Sequence, residues 1–178
     1  AAITASNNGD TVYVHGSPIG YEGFAISNKK LILIGPGWSP DKNMPFAAFV
    51  TTTCSITGSL CSNSQIQGMV LVAIDINSSK PDGLRFIRNI ITGKINVNQL
   101  VTNYNDYIFE GNVFQGGGVY ASAGSIYLNF IFKNNYFYSP GFFNNQFLSG
   151  FSNSQNTVLI DHNLWFREGT GTATCFIN

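Results

Sequence analysis

Apolar and polar positions repeat in a fixed order through the second half of the chain. Four segments read apolar-x-apolar-x-x-Asn-x-apolar: Leu84/Phe86/Asn89/Ile91, Tyr107/Phe109/Asn112/Phe114, Phe130/Phe132/Asn135/Phe137 and Val158/Ile160/Asn163/Trp165. Successive Asn residues are 23, 23 and 28 positions apart. A period of two ahead of each Asn is strand spacing, with alternate side chains on one face. The alternation breaks at the Asn, which places that residue at a bend. Units that recur at this interval, each burying its apolar face against its neighbours, predict a solenoid. Asn89, Asn112, Asn135 and Asn163 then stack as an internal ladder whose carboxamides donate and accept between rungs. In the same register Phe114, Phe137 and Trp165 form a stacked core column.

The first part of the chain reads as the opening of the same coil. Residues 1–6 form a short capping segment with Ile3 as its apolar contact, and Asn7-Asn8-Gly9-Asp10 is a turn cluster. Three short strands follow, at 11–16, 24–26 and 31–34, the last ending in Gly35-Pro36-Gly37. Separated by sharp bends, they make one turn of a three-sided coil. Residues 38–68, rich in Pro, Ser and Thr, interrupt the pattern and are expected to project as a loop or irregular insertion from a single domain spanning 1–178. The coil resumes at Met69, with Val70 and Val72 alternating and a polar corner over 75–82. Ala173, Cys175 and Ile177 keep strand alternation, as if a further rung began without a polar cap.

Composition narrows the function classes. The formal net charge is zero, only 10% of residues are charged, and no basic run exists, so nucleic acid is not an expected partner. No segment approaches the roughly 20 consecutive apolar residues of a membrane-spanning helix, so membrane insertion is not expected. The 21 Asn and 19 Gly residues argue against helices. A chain beginning at Ala1 without a leader reads as a mature or excised product. Cys54 and Cys61 lie close enough in sequence for a disulfide, while Cys175 reads as a buried small hydrophobe. With no paired C-x-x-C, and with His15 and His162 far apart, neither a metal nor a cofactor is expected.

The opening run, from Gly9-Asp10-Thr11-Val12-Tyr13-Val14-His15-Gly16 to Gly37, together with the Asn repeats, resembles the right-handed parallel β-helix superfamily of pectate-lyase-like solenoids. It resembles especially the secreted bacterial surface proteins that open with a capping helix. The resemblance implies an all-β, right-handed parallel β-helix at the cell surface or outside the cell. It implies no single activity, because that superfamily holds polysaccharide-active enzymes, adhesins, phage spikes and non-catalytic scaffolds.

With the Asn as a ruler, two outward columns come out apolar where a solvated wall would carry Lys, Thr or Glu. They are Arg85/Ile108/Ile131/Leu159, four before the Asn, and Ile90/Val113/Tyr136/Leu164, one after it. Either the chain's own segments, 38–68 or 139–156, lie across this wall, or a partner does. A carboxylate, ammonium, carboxylate column, Glu110/Lys133/Asp161, runs beside it, and Arg88 and His162 immediately precede their Asn. Glu110, Lys133, Asp161 and His162 would be the catalytic residues of a lyase or hydrolase, and Trp38, Tyr120, Tyr138 and Phe166 its sugar-stacking rings. A solvated ion-pair ladder accounts for the column more simply. The sequence therefore predicts a non-catalytic extracellular or cell-surface scaffold that self-associates through the outer wall or its C-terminal end. The alternatives are a polysaccharide-active lyase or hydrolase and a carbohydrate-binding module.

Overall fold

The structure, a computed structural model, describes residues 2–37, 46–77, 81–98, 100–122, 126–140, 148–149 and 155–168. Strand alternation dominates these residues, and every strand pairs in parallel with the equivalent strand of the next coil. One sheet is a single wall, built in order from Thr11–Tyr13, Ile32–Ile34, Gln65–Gln67, Leu84–Ile87, Leu100–Glu110, Ile126–Lys133 and Thr157–Asp161. The other sheet folds into two walls. Strand Met69–Asn77 pairs through Val70 and Leu71 with Ile90–Ile91, and through Ile74 to Asn77 with Lys94–Asn98. The second wall continues through Val113–Gln115, Tyr136–Pro140 and Leu164–Glu168, and the third through Gly118–Ala121 and Leu148–Ser149. The chain is thus a three-sided parallel β-helix.

Inward positions align into columns because the side-chain period is two and the register does not slip within the repeats. Along the first wall Leu33, Ile66, Phe86, Phe109 and Phe132 are aligned and buried. The rings stack at 5.1 Å (Phe86 to Phe109) and 4.8 Å (Phe109 to Phe132) between centroids, close to the strand separation of a sheet. The second wall carries Leu71, Ile91, Phe114, Phe137 and Trp165, whose last three rings stack at 4.6 and 3.9 Å. The core is therefore aliphatic in the early coils and aromatic in the later ones.

The corner between the first and second walls explains the Asn. Gly68, Arg88, Gly111, Asn134 and His162 occupy it with φ between 51° and 67°. A left-handed residue turns the chain, so the next side chain points into the coil instead of continuing the alternation. Asn89, Asn112 and Asn135 are buried there. The Oδ1 of Asn112 accepts from the backbone N–H of Asn89 (3.0 Å) and from its Nδ2 (3.2 Å), while Asn112 Nδ2 donates to Phe86 O (2.8 Å) and Asn135 Oδ1 (3.0 Å). Asn163 closes the series by accepting from Asn135. At the other end Met69 stands in the Asn position, and its N–H donates to Asn89 Oδ1 at 3.0 Å.

The first coil is capped by a short helix, Ala2–Ala5, with Ile3 packed against the core. Lys29 Nζ donates to the carbonyls of Ile3, Thr4 and Ser6, which leave the helix without helical partners.

Three expectations are corrected. Residues 46–68 are coil, not a projecting loop: Ala48–Thr57 and a 3-10 turn at Ser59–Cys61 complete the second circuit, with Ala48, Val50, Cys54 and Ile56 inward, and Gln65–Gln67 opens the third. Thr51, Thr52, Thr53, Ser55 and Thr57, which made this stretch look like a loop, lie on the strand without being buried, and a register shift between Val50 and Thr53 hides the alternation. Residues 38–45 lie outside the described residues. Cys54 and Cys61 are free thiols. Cys54 faces inward on its strand, whereas Cys61 has passed the corner and donates to Thr57 O (3.2 Å) and Ile26 O (3.4 Å). Finally, strand Met69–Asn77 runs into the expected corner at 75–82, and its buried residues are Met69, Leu71, Ile74 and Ile76 rather than Val70 and Val72. The alternation at Ala173, Cys175 and Ile177 lies outside the described residues.

Candidate functional site on the outer walls

The outward columns follow from the same corner. Strand pairing aligns Arg85, Ile108, Ile131 and Leu159 on the first wall, and Ile90, Val113, Tyr136 and Leu164 on the second. Ile108, Ile131, Val113 and Tyr136 are half-buried by their neighbours along the columns. Exposure rises at the last described rung, to 51% for Leu159, 63% for Leu164 and 47% for Phe166. Of the two segments expected to cover this wall, 46–68 is spent on the coil. Residues 139–156 are described only at 139–140, 148–149 and 155–156, where they continue walls or approach the first one: Asn156 Oδ1 accepts from Leu128 N at 3.0 Å.

Tyr136 and Tyr138 lie 6.2 Å apart at 17°, and Tyr138 and Phe166 5.9 Å apart at 14°. At these distances, against 3.9 Å for the stacked pair Phe137 and Trp165, the rings lie displaced beside one another rather than face to face. Tyr120, on the third wall, has Lys94 Nζ 4.9 Å from its ring centroid. Burial pushes its phenol up from the ordinary value. Trp38 lies outside the described residues.

The charged column is aligned as expected, Glu110 against Lys133 and Lys133 against Asp161. Its contacts run elsewhere. Glu110 Oε2 pairs with Arg85 Nη2 at 3.4 Å, and Asp161 pairs with the Nδ1 of His162 beside it. Among the described residues, no ion pair joins Lys133 to either carboxylate. Glu110 and Asp161 stand two rungs apart with Lys133 between them, about 10 Å at the usual strand separation, and each has its own basic neighbour. That arrangement offers no water-sized gap between free carboxylates, as an inverting hydrolase needs, and no close pair, as a retaining one needs. The Arg85–Glu110 pair is about two-fifths exposed, so its contribution to stability is small. Arg88 and His162 sit at the left-handed corner, which places them on the outer edge between the walls. Among the described residues, no group of three or more His, Cys, Asp or Glu side chains is placed to hold a metal ion.

Two features lay beyond the sequence reading. A polar column six before the Asn runs beside the apolar one: Asn129 Nδ2 donates to Asp106 Oδ1 at 2.8 Å and Thr157 Oγ1 to Asn129 Oδ1 at 2.5 Å. Extending the same ruler by two positions would have found it. The second is a cavity at the N-terminal end of the coil, described below, for which no motif exists. Compared with family models, characterised proteins and solved structures, the chain matches none.

Proposed function

We propose that the protein is a non-catalytic scaffold of the pectate-lyase-like kind, working outside the cell or at its surface, and that it self-associates through the two outer walls beside the Asn corner. The observation that carries this reading is the exposure of Leu164 and Phe166 side by side on the second wall, with Leu159 exposed on the first wall across the Asp161–His162 corner. Large apolar side chains exposed together, as Leu164 and Phe166 are, mark contact sites. The half-buried rings of Tyr136 and Tyr138 extend this apolar surface along the second wall. The sparse charge of the chain supports the same reading, since little repulsion opposes contact between copies. A polysaccharide-active enzyme has less support, because Glu110 and Asp161 are tied to basic neighbours.

The test is the mass in solution over a concentration series, by light scattering. The wild-type chain is expected to associate in the micromolar range and Leu164→Lys/Phe166→Lys to stay monomeric. A wild-type chain monomeric throughout that range overturns the reading.

A further inference from the structure

We propose that the N-terminal end of the coil holds a binding site for a small uncharged apolar molecule, aromatic or branched aliphatic. The cavity there measures about 650 Å3. Its wall is drawn from all three sides of the coil: Val12, Val14 and Leu33 from the first, Val50 and Met69 from the second, and Phe24 from the approach to the third. Ile3 of the short helix overhangs it, and His15, Tyr21 and Glu22 stand at the rim. This size and lining, mostly apolar with a few polar groups at one edge, match sites that take small ligands.

The cavity has a structural origin. In the first circuit the second wall lacks a strand, and only a single bridge, Tyr21 to Val50, marks its place. Residues 16–23 instead lie flat on the next circuit. Tyr21 N donates to Phe49 O (2.7 Å), Thr51 N to Tyr21 O (2.8 Å) and Gly23 N to Thr52 Oγ1 (2.7 Å). The approach is so close that a Cβ on Gly16, Gly20 or Gly23 would fall 1.9, 2.3 or 2.1 Å from Phe46 O, Thr51 Cγ2 or Thr53 O. Glycines bring the backbone down but supply no side chains to the lumen. The place that elsewhere holds Leu71, Ile91 or Phe114 falls in this circuit to Tyr21, which is exposed and donates its hydroxyl to His15 O at 2.9 Å instead of filling the lumen. Val12, Val14 and Phe24 are left half-buried around the space. The short helix is tied down by Lys29 on one side and lines the space with Ala2, Ile3 and Thr4, of which only Ile3 carries a large apolar side chain. A cavity lined in this way receives apolar molecules more readily than water, which needs several polar partners.

The probe is the neutral dye N-phenyl-1-naphthylamine, titrated into the full chain and followed by fluorescence and by methyl NMR shifts. One saturable site per chain is expected, with shifts confined to the methyls of Ile3, Val12, Val14, Leu33, Val50 and Met69. Val14→Phe, checked for folding by circular dichroism, is expected to weaken binding at least tenfold. Absence of saturable binding overturns the inference, as do shifts centred on Leu159 and Leu164, or undiminished affinity in a folded Val14→Phe chain. Should that variant fail to fold, the shift map on the wild-type chain decides alone. The inference stands apart from self-association, which the mass of the chain reads separately.

Discussion

At the scale of the residue, the ladder Asn residues are not equivalent. Asn112 is buried and takes part in five ladder hydrogen bonds: its Oδ1 accepts from two donors of Asn89, its Nδ2 donates to Phe86 O and Asn135 Oδ1, and its N–H donates to the same Oδ1. Asn112→Ala leaves Asn89 N and Phe86 O without these partners. At about 1–3 kcal/mol per buried group left unsatisfied, it should cost roughly 3 kcal/mol in urea unfolding. Asn163→Ala should cost clearly less, because Asn163 is half-buried and water can replace it. Equal losses would mean that the ladder contributes through something other than buried hydrogen bonds. The left-handed corner gives a second pair. At Gly111 a Cβ would meet only Arg88 Cγ at 3.4 Å, so Gly111→Ala carries the backbone strain alone, about 1–2 kcal/mol. At Gly68 it would also fall 2.8 Å from Gly35 O, so Gly68→Ala should unfold at lower denaturant than Gly111→Ala.

At the scale of the element, a buried thiol makes the third wall sensitive to alkali. Burial pushes Cys54 from 9.0 up to about 11, against a smaller opposing effect of a hydrogen bond with the backbone of Phe24. The folded state holds this proton more tightly than the unfolded one. The stabilisation is therefore complete below pH 9 and lost as pH rises towards 11, with a loss of about 2–3 kcal/mol at 1.36 kcal/mol per unit. Melting temperature should fall across that window, and Cys54→Val should flatten the fall. Burial also raises the Tyr107 phenol, so some slope above pH 10 should persist in that variant. The same strand shows where the sequence stopped being readable. The later rungs were legible because a left-handed corner and a buried Asn recur at fixed offsets from two inward residues. In the second circuit the wall-to-wall bend carries a register shift between Val50 and Thr53, and in the third Gly68-Met69 stands in place of the residue-plus-Asn pair. Without the Asn there was no ruler, and exposed Thr51, Thr52 and Thr53 looked like loop. The Cys54–Cys61 pairing failed for a related reason, since seven residues in sequence here span a corner.

At the scale of the whole molecule, the three walls divide the surface by chemistry, and that division separates apolar from electrostatic association. The first wall sets the half-buried apolar column Ile108/Ile131 between the polar ladder Asp106/Asn129/Thr157 and the charged column Glu110/Lys133/Asp161. The second wall carries apolar and aromatic residues, Val113, Tyr136, Leu164 and Phe166, with little charge among them. The alignment of these columns was legible from the Asn spacing, but their exposure was not, because it depends on which segments cross the wall. Were copies held together through the charged column, added salt would screen the contact over a Debye length of about 8 Å at physiological ionic strength, and dissociation would follow. Contact through the apolar patch predicts the opposite. Association should persist unchanged from low salt to about 1 M NaCl and strengthen in sulfate, which is excluded from apolar surface. Lys133→Ala should leave the mass unaltered while Leu164→Lys/Phe166→Lys abolishes assembly. Sedimentation velocity at matched concentrations distinguishes the two: a complex that falls apart in NaCl, or that Lys133→Ala dissolves, would move the contact from the second wall to the charged column of the first.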